Sequence, residues 1–449
     1  MTFFILYVAL LLLLSLRCRN ADRTQYYVNG RQSSAFTVAL SIVASCVGGS
    51  ATLGMAGLAF QVGTPAFWWL GSGAVGLVVL SLFLARKVRQ SGALTMPELL
   101  ADYLGAPCRP LASVIIVLAW LAILAAQFTA MAAVIAPLTG LGQHASLSLG
   151  AFILVAYTLA GGQAAVMKSD VWQYGILLAA LLTALAFACA ADGGKALTSV
   201  TFEVVNADFP ASRLHYYLCI LGGSYVVCPM LFGRLLSARD AAAARRGALW
   251  AVLGLTFTAA LIVALGIACR GLVPAGTPPE QVLGAALLSR VPSWLATLIL
   301  LGIFSAIISS ADSCLMTAAS VVAGDILRKP DVHVCRCAMA VLGGAGVALA
   351  LSGQGILALL LAANDIYVCG VVPPVLVGML RGKDSVHPWG AAFAMLGGGA
   401  LGCVAAIAGL SEYAYAGLGF SLFFSLLAVR SGSVASTCPQ ESAVGLRRP

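Results

Sequence analysis

Apolar segments follow one another along nearly the whole chain, and only short polar stretches separate them. An α-helix needs about 20 apolar residues to cross the hydrocarbon core of a bilayer. Thirteen segments approach that length, at 2–16, 35–60, 66–85, 110–136, 145–161, 165–190, 213–236, 247–269, 292–324, 337–352, 354–379, 388–409 and 413–429. With 61% hydrophobic and 9% charged residues and a mean hydropathy of +0.99, the chain is excluded from the soluble globular class. Backbone groups find no partners in lipid, so spans of this length are helical. The expected fold class is an all-α integral membrane protein with about 13 transmembrane helices.

Charge placement tests that count. If the chain starts outside, the inner segments hold Arg17, Arg19, Arg23 and Arg31, then Arg86, Lys87, Arg89 and Arg109, then Lys168. They continue with Arg234, Arg239, Arg245 and Arg246, then Arg328, Lys329 and Arg336, then Arg381 and Lys383, then Arg430, Arg447 and Arg448. Of the 25 Lys and Arg residues, only Lys195, Arg213, Arg270 and Arg290 fall outside. Such asymmetry is the positive-inside pattern. The net charge of +9 therefore reports topology rather than a nucleic-acid partner. The expected location is a cell membrane, crossed many times, with the N-terminus outside and the C-terminus cytoplasmic. Phe3 to Leu16 resembles a signal peptide, but its basic residues follow the apolar core and no small-residue cleavage site is present; a retained first span is expected. The tail at 431–449 is expected to be disordered. No Walker A sequence is present, so ATP-driven movement has no engine in this chain. The cysteines sit mostly singly in apolar spans, where they read as small buried hydrophobes.

Two spans carry glycine pairs in corresponding places. The first is Ser45-Cys46-Val47-Gly48-Gly49-Ser50, and the second is Gly222-Gly223-Ser224. Glycine weakens a helix because it gives up more backbone entropy than other residues. A broken helix at membrane depth exposes carbonyls and amides that must face an ion, a ligand, water or protein. Paired interruptions of this kind are the sequence pointer to a carrier's binding site.

Polar residues inside spans supply the other candidates. Ala306, Ser309, Ser310 and Ser313 share one helical face, which suits a small hard cation or simply close helix packing. Asp312 shifts that balance, because a carboxylate in a span is costly and needs a partner. Asp170 opens the sixth span, where it either caps the helix or lies on an ion path. Asp365, beside Asn364, is either paired with a neighbouring hydroxyl or amide or binds a proton or substrate. Tyr225, followed by Pro229, and the lone amide Gln127 read either as packed core residues with satisfied polar ends or as contacts to a solute.

Taken together these groups resemble the sodium/solute symporter family, whose members carry sugars, proline, sialic acid, vitamins and similar solutes. The resemblance begins at Gln25-Tyr-Tyr-Val-Asn-Gly-Arg31 and continues through Leu53-Gly-Met-Ala-Gly57, Gly161-Gly162 with Ser169, Asp170 and Gln173, and Pro229-Met-Leu-Phe-Gly-Arg234 with Ser237 to Asp240. It ends most strongly at Ala306-Ile-Ile-Ser-Ser-Ala-Asp-Ser313 with Asp325. It implies the leucine-transporter fold: two inverted five-helix repeats over 35–190 and 213–380, with one extra span in 1–34 and two in 388–430. It also implies a sodium site formed by the carbonyls of Ala44, Val47 and Ala306 and the hydroxyls of Ser309 and Ser310. Asp170, Ser309, Asp312 and Ser313 match a second cation site of some members. The chain departs from familiar members at Cys46, where proline carriers have Asp, and at Leu221, where they have Trp. Its third span, Phe67 to Ala85, lacks the Glu of the sugar carriers, which argues against a sugar.

The expected activity is sodium-coupled symport of a small organic solute, such as an amino acid, carboxylate or vitamin-like molecule, by alternating access. The solute pocket is expected at Gly48, Gly49, Ser50, Gln127 and Tyr225. The alternatives are a proton-coupled carrier of the same fold and a solute-sensing membrane protein. No constellation for enzyme catalysis is visible, and no obligatory protein partner is evident. The lipid bilayer is the expected surroundings.

Overall fold

The computed structural model describes residues 2–16 and 22–430. The expectations for Arg17, Arg19, Arg447, Arg448 and the tail at 431–449 therefore lie outside the described residues. The helices that matter are α1 (Thr2–Leu16), α2 (Ala35–Cys46), α3 (Met55–Val62), α4 (Trp68–Val79), α5 (Cys108–Thr139), α6 (Gln143–Ala188) and α7 (Gly222–Val226). They are followed by α8 (Pro229–Ser237), α9 (Ala241–Ala268), α10 (Ser293–Val321), α11 (Val332–Ala350), α12 (Ile356–Arg381), α13 (Pro388–Ala408) and α14 (Ser411–Leu427). Among the described residues, 9 helices are long and apolar enough to cross a membrane, or 10 counting the bent pair Ala35–Cys46 and Ser50–Val62 as one span.

At about 1.5 Å per residue, α6 is roughly twice as long as one crossing requires. Gly162 divides it. Its φ of 58° and ψ of −163° leave helical geometry, and a Cβ there would lie 2.5 Å from the ring of Tyr26. Only glycine takes that conformation without strain. The two arms meet across the turn, where the Tyr157 hydroxyl and Ser169 Oγ are 2.5 Å apart. The expected fifth and sixth spans are thus both helical, with the turn between them at the Gly161-Gly162 pair.

The first expected break is present. α2 ends at Cys46, Val47 takes φ −99° and ψ 75°, and the chain resumes at 64° to its former direction. The second break is displaced from its expected place. Gly222, Gly223 and Ser224 are helical within α7, and the interruption falls at Val227 and Cys228, with ψ of 87° and 118°. Pro229 is the cause. It opens α8 without an amide to donate, and it disfavours the helical region for the residue before it. The glycines serve close packing instead, since a Cβ on Gly76 of α4 would lie 2.1 Å from the Gly222 carbonyl oxygen. Gly76→Leu is therefore expected to force α4 from α7 at a cost of about 1–3 kcal/mol or more, read as a lower melting temperature of the detergent-purified protein.

α10 lies at the centre. Its most apolar window is 78% buried, against 33% for α11 at the periphery. It packs on α5 and α6, and α1 closes one side, with Phe4 and Tyr7 against Phe304 at ring-centroid separations of 5.4 and 6.1 Å. Asp240 caps α9 by accepting the Ala243 amide at 2.6 Å, a bond that holds its carboxyl below the usual range.

Candidate functional site: a broken helix against a hydroxyl face

The break at Val47 strips α2 of helical partners for its last carbonyls, and α10 supplies one. Ser310 Oγ lies 2.9 Å from the Ser45 carbonyl and 3.3 Å from that of Ala44. On the other side, the Gly49 amide donates to Gln127 Oε1 of α5 at 2.8 Å. The approach is close enough to demand glycine. A Cβ on Gly48 would lie 2.7 Å from Ser310 Oγ and 2.8 Å from Gln127 Nε2, and one on Gly49 would lie 2.2 Å from the Ala130 Cβ. Ala44, Val47, Ala306, Ser309 and Ser310 are all buried. Of these, the structure brings Ala44 and Ser310 within hydrogen-bonding distance. Neutral oxygens concentrated at a dry helix break are the donor set of a small hard cation.

Ser309 turns to a different partner. Its hydroxyl donates to Asp170 Oδ1 at 2.6 Å, while Ser41 of α2 donates to Oδ2 at 2.5 Å. Arg234, counted from sequence with the inner surface charges, is fully buried beside them. Its Nη2 is 3.5 Å from Asp170 Oδ2 and bonds Ser313 Oγ, its Nε donates to Ser41 Oγ at 3.3 Å, and its Nη1 to the Met230 carbonyl at 3.3 Å. Asp312 Oδ1 accepts from Ser313 Oγ at 3.1 Å; Oδ2 is buried with no hydrogen-bond partner among the described residues. The signal for Arg234 was its position inside an apolar segment, where an ionisable residue needs a partner. Asp365 accepts the Tyr216 hydroxyl at 2.6 Å, so the paired-carboxylate alternative describes it.

Next to the break lies a cavity of about 80 Å³. Ser45, Cys46, Ser50, Gln127, Tyr225 and Ser310 line it, so three of the five expected solute residues, Ser50, Gln127 and Tyr225, face it. Gly48 and Gly49 are not among its lining residues and instead pack against Ser310, Gln127 and Ala130. Trp69, Trp120 and Asn364 also line it; sequence reasoning missed the two indoles and named Asn364 only as the neighbour of Asp365. Trp120 Nε1 is a buried donor with no partner among the described residues. Its signal was an indole within a span, since such N–H groups usually find an acceptor when buried. None of the described residues that line it is charged.

A multi-pass helical membrane protein with a discontinuous span, a facing hydroxyl helix and an adjoining cavity is the class these features define. The family model described as sodium:solute symporter family matches residues 26–380. Among curated relatives, the human high affinity choline transporter 1 is 25% identical over 384 residues, covering 78% of this chain and 65% of its own length. The sodium/pantothenate symporter of Haemophilus influenzae is 25% identical over 332 residues, covering 69% and 67%. The chain thus spans about 65% of the length of the human choline transporter. Among solved structures, a substrate-bound, outward-open Na+-coupled sialic acid symporter superposes with TM-score 0.79 at 16% identity, covering 94% of this chain and 95% of that one. Mhp1, a nucleobase-cation-symport-1 family transporter, gives TM-score 0.64 at 15% identity over 92% and 95%. The chain belongs to the sodium:solute symporter family, and its fold is that of leucine-transporter-type proteins. The family and these relatives are transporters rather than enzymes.

Proposed function

We propose that the chain is a sodium-coupled symporter that moves a small organic solute by alternating access. The observation that carries this reading is Ser310 Oγ held against the Ala44 and Ser45 carbonyls at the break, with Ser45 and Ser310 also lining the cavity. Sodium bound by the carbonyls of Ala44, Val47 and Ala306 and the hydroxyls of Ser309 and Ser310 clamps α2 to α10. The clamp fixes the break and so the cavity wall, and binding of ion and solute becomes mutually favourable. Ser309 serves this site when its hydroxyl turns from Asp170. Asp170, Asp312 and Ser313 form the neighbouring second position.

In this reading the chain crosses the membrane thirteen times, with repeats over 35–190 and 213–380, extra spans in 1–34 and 388–430, an outer N-terminus and a cytoplasmic C-terminus. The basic residues of the inner segments support that orientation. The cavity offers the faces of Trp69, Trp120 and Tyr225, together with hydroxyls and amides and no side-chain charge. Such a lining suits a solute with no net negative charge, including a quaternary ammonium, which aromatic faces attract. The names of the relatives, choline and pantothenate among them, support a small organic solute.

Ser310→Ala is expected to weaken sodium affinity by about tenfold or more, about 1.4 kcal/mol. The test is the sodium concentration that half-maximally raises the melting temperature of the purified protein, or that half-maximally stimulates uptake once a solute is found. An unchanged sodium response rejects the assignment. A proton-coupled carrier is the second reading, favoured by the unpartnered Asp312 Oδ2. Imposing sodium and pH gradients separately across proteoliposomes decides between them.

A further inference from the structure

We infer that Asp365 is a proton-binding site within the membrane, set between α12 and the limb of the second broken span that precedes its break. That limb is the short helix Ala211–Tyr216, which continues through Tyr217–Leu221 into α7. Neither the ion site nor the cavity lining uses this carboxyl, so its role is independent of the sodium reading.

Asp365 lies about 14 Å along α12 at about 1.5 Å per residue, and it is 7% exposed. Tyr216, whose hydroxyl donates to Oδ1 at 2.6 Å, is the one hydrogen-bond partner of its carboxyl among the described residues. No Lys, Arg or His of the described residues lies within ion-pairing distance of it. Asp170 and Asp325 differ, since each faces an arginine, Arg234 at 3.5 Å and Arg109 at 2.8 Å. A neutral hydroxyl supplies no counter-charge. A carboxylate held at this depth without one takes up a proton rather than bear the cost of a bare charge. As the neutral acid, Asp365 still accepts from Tyr216 through Oδ1 and carries its proton on Oδ2.

The surrounding groups bring no compensating charge. Tyr216 packs on Tyr217 and Tyr415, at ring-centroid separations of 6.2 and 6.4 Å, and phenols are neutral at physiological pH. Cys369, one turn further along α12, has its Sγ 3.1 Å from the Ala414 carbonyl. On α13, Gly402 packs directly on the Asp365 backbone, where a Cβ would lie 2.4 Å from the carbonyl oxygen. Arg213 shares the limb of Tyr216 but sets its guanidinium over the rings of Phe209 and Tyr217, at 5.3 and 5.7 Å. The two elements joined by the Tyr216–Asp365 bond also wall the solute cavity, α12 through Leu360 and Asn364 and the limb through Leu221, Ser224 and Tyr225. Ionisation sets an uncompensated charge between these walls, so the packed arrangement is the protonated one.

The test is the infrared carbonyl band of protonated carboxyl groups, recorded on the full-length chain in lipid vesicles from about pH 5 to about pH 9, a range that covers buried carboxyls. The wild type is expected to show one protonated carboxyl more than Asp365→Asn at the lower end, and to lose it as the pH rises. Asp312 is present in both proteins, so any proton on it cancels in the difference. Stability follows the same proton. A carboxyl that holds its proton more tightly in the folded protein than in the unfolded chain costs stability as the pH rises through its titration. The melting temperature of the wild type therefore falls relative to that of Asp365→Asn over that interval. Coincident wild-type and Asp365→Asn spectra across the whole range overturn the proton site. If Asp365→Asn does not fold, Tyr216→Phe takes its place: it lacks the hydroxyl that favours the charged form, so its band persists to higher pH, and an unshifted band overturns the assignment.

Discussion

Asp170→Ala is expected to destabilise the folded protein by about 3–5 kcal/mol, the usual cost of removing one partner from a buried ion pair. The reason lies in what remains. Arg234 stays charged, is fully buried, and keeps only hydroxyl and carbonyl partners at Ser41, Ser313 and Met230. The hydroxyls of Ser41 and Ser309, which donate to Asp170 at 2.5 and 2.6 Å, lose their acceptor as well. Asp170→Asn separates charge from shape, because an amide of the same size still accepts one hydroxyl but leaves the guanidinium unneutralised. Replacing both partners, Asp170→Leu with Arg234→Met, is expected to recover much of the loss, since a buried pair often exchanges for apolar residues at little net cost. The non-additivity of the double variant measures the coupling. Melting temperatures in one detergent at fixed sodium make the comparison. An Asp170→Ala protein as stable as wild type would show that the pair is not what holds α6, α8 and α10 together.

The legible parts of the sequence were those set by the bilayer and by hydroxyl periodicity. Span length and apolarity located the helices, because lipid leaves the backbone no alternative. The face of Ser309, Ser310 and Ser313 was readable from spacing, and it does lie buried against other helices. The break at Val47 was readable from its glycines, although these work by letting Ser310, Gln127 and Ala130 approach rather than by adopting unusual angles. The second break was misplaced by four or five residues because the same residue type had another use there. Gly222 makes room for α4, while Pro229 ends the helix. The burial of Arg234 was hidden for a related reason. A charge near the inner end of a span reads as topology, and only the three-dimensional meeting of α2, α6, α8 and α10 reveals its partners. Trp69 and Trp120 were missed, and Asn364 was noted only beside Asp365, because an aromatic or amide within a span is unremarkable until a cavity opens beside it.

Gly49→Leu is expected to reduce sodium binding by at least about a hundredfold, equivalent to about 2.8 kcal/mol, in a protein that still folds. A Cβ at Gly49 would lie 2.2 Å from the Cβ of Ala130 and 3.2 Å from Gln127 Oε1, so a larger side chain cannot be accommodated by rotation. The chain after Cys46 must move off α5, and it takes with it the Gly49 amide that now donates to Gln127 at 2.8 Å. The carbonyls of Ala44 and Ser45 shift from Ser310 in the same displacement, because a few residues of broken helix connect them. A cation site made of neutral oxygens has no long-range attraction to compensate for lost geometry, so affinity falls steeply with small displacements. The fold survives because overpacking at one position costs only about 1–3 kcal/mol, and the other helices do not depend on this contact. Gly222→Ala is the informative contrast: a Cβ there lies 3.0 Å from the Ser72 carbonyl oxygen, so that variant loses stability but keeps its sodium affinity. Radioactive sodium binding alongside melting temperature distinguishes the two glycines. Wild-type sodium affinity in folded Gly49→Leu would remove the broken helix from the ion site.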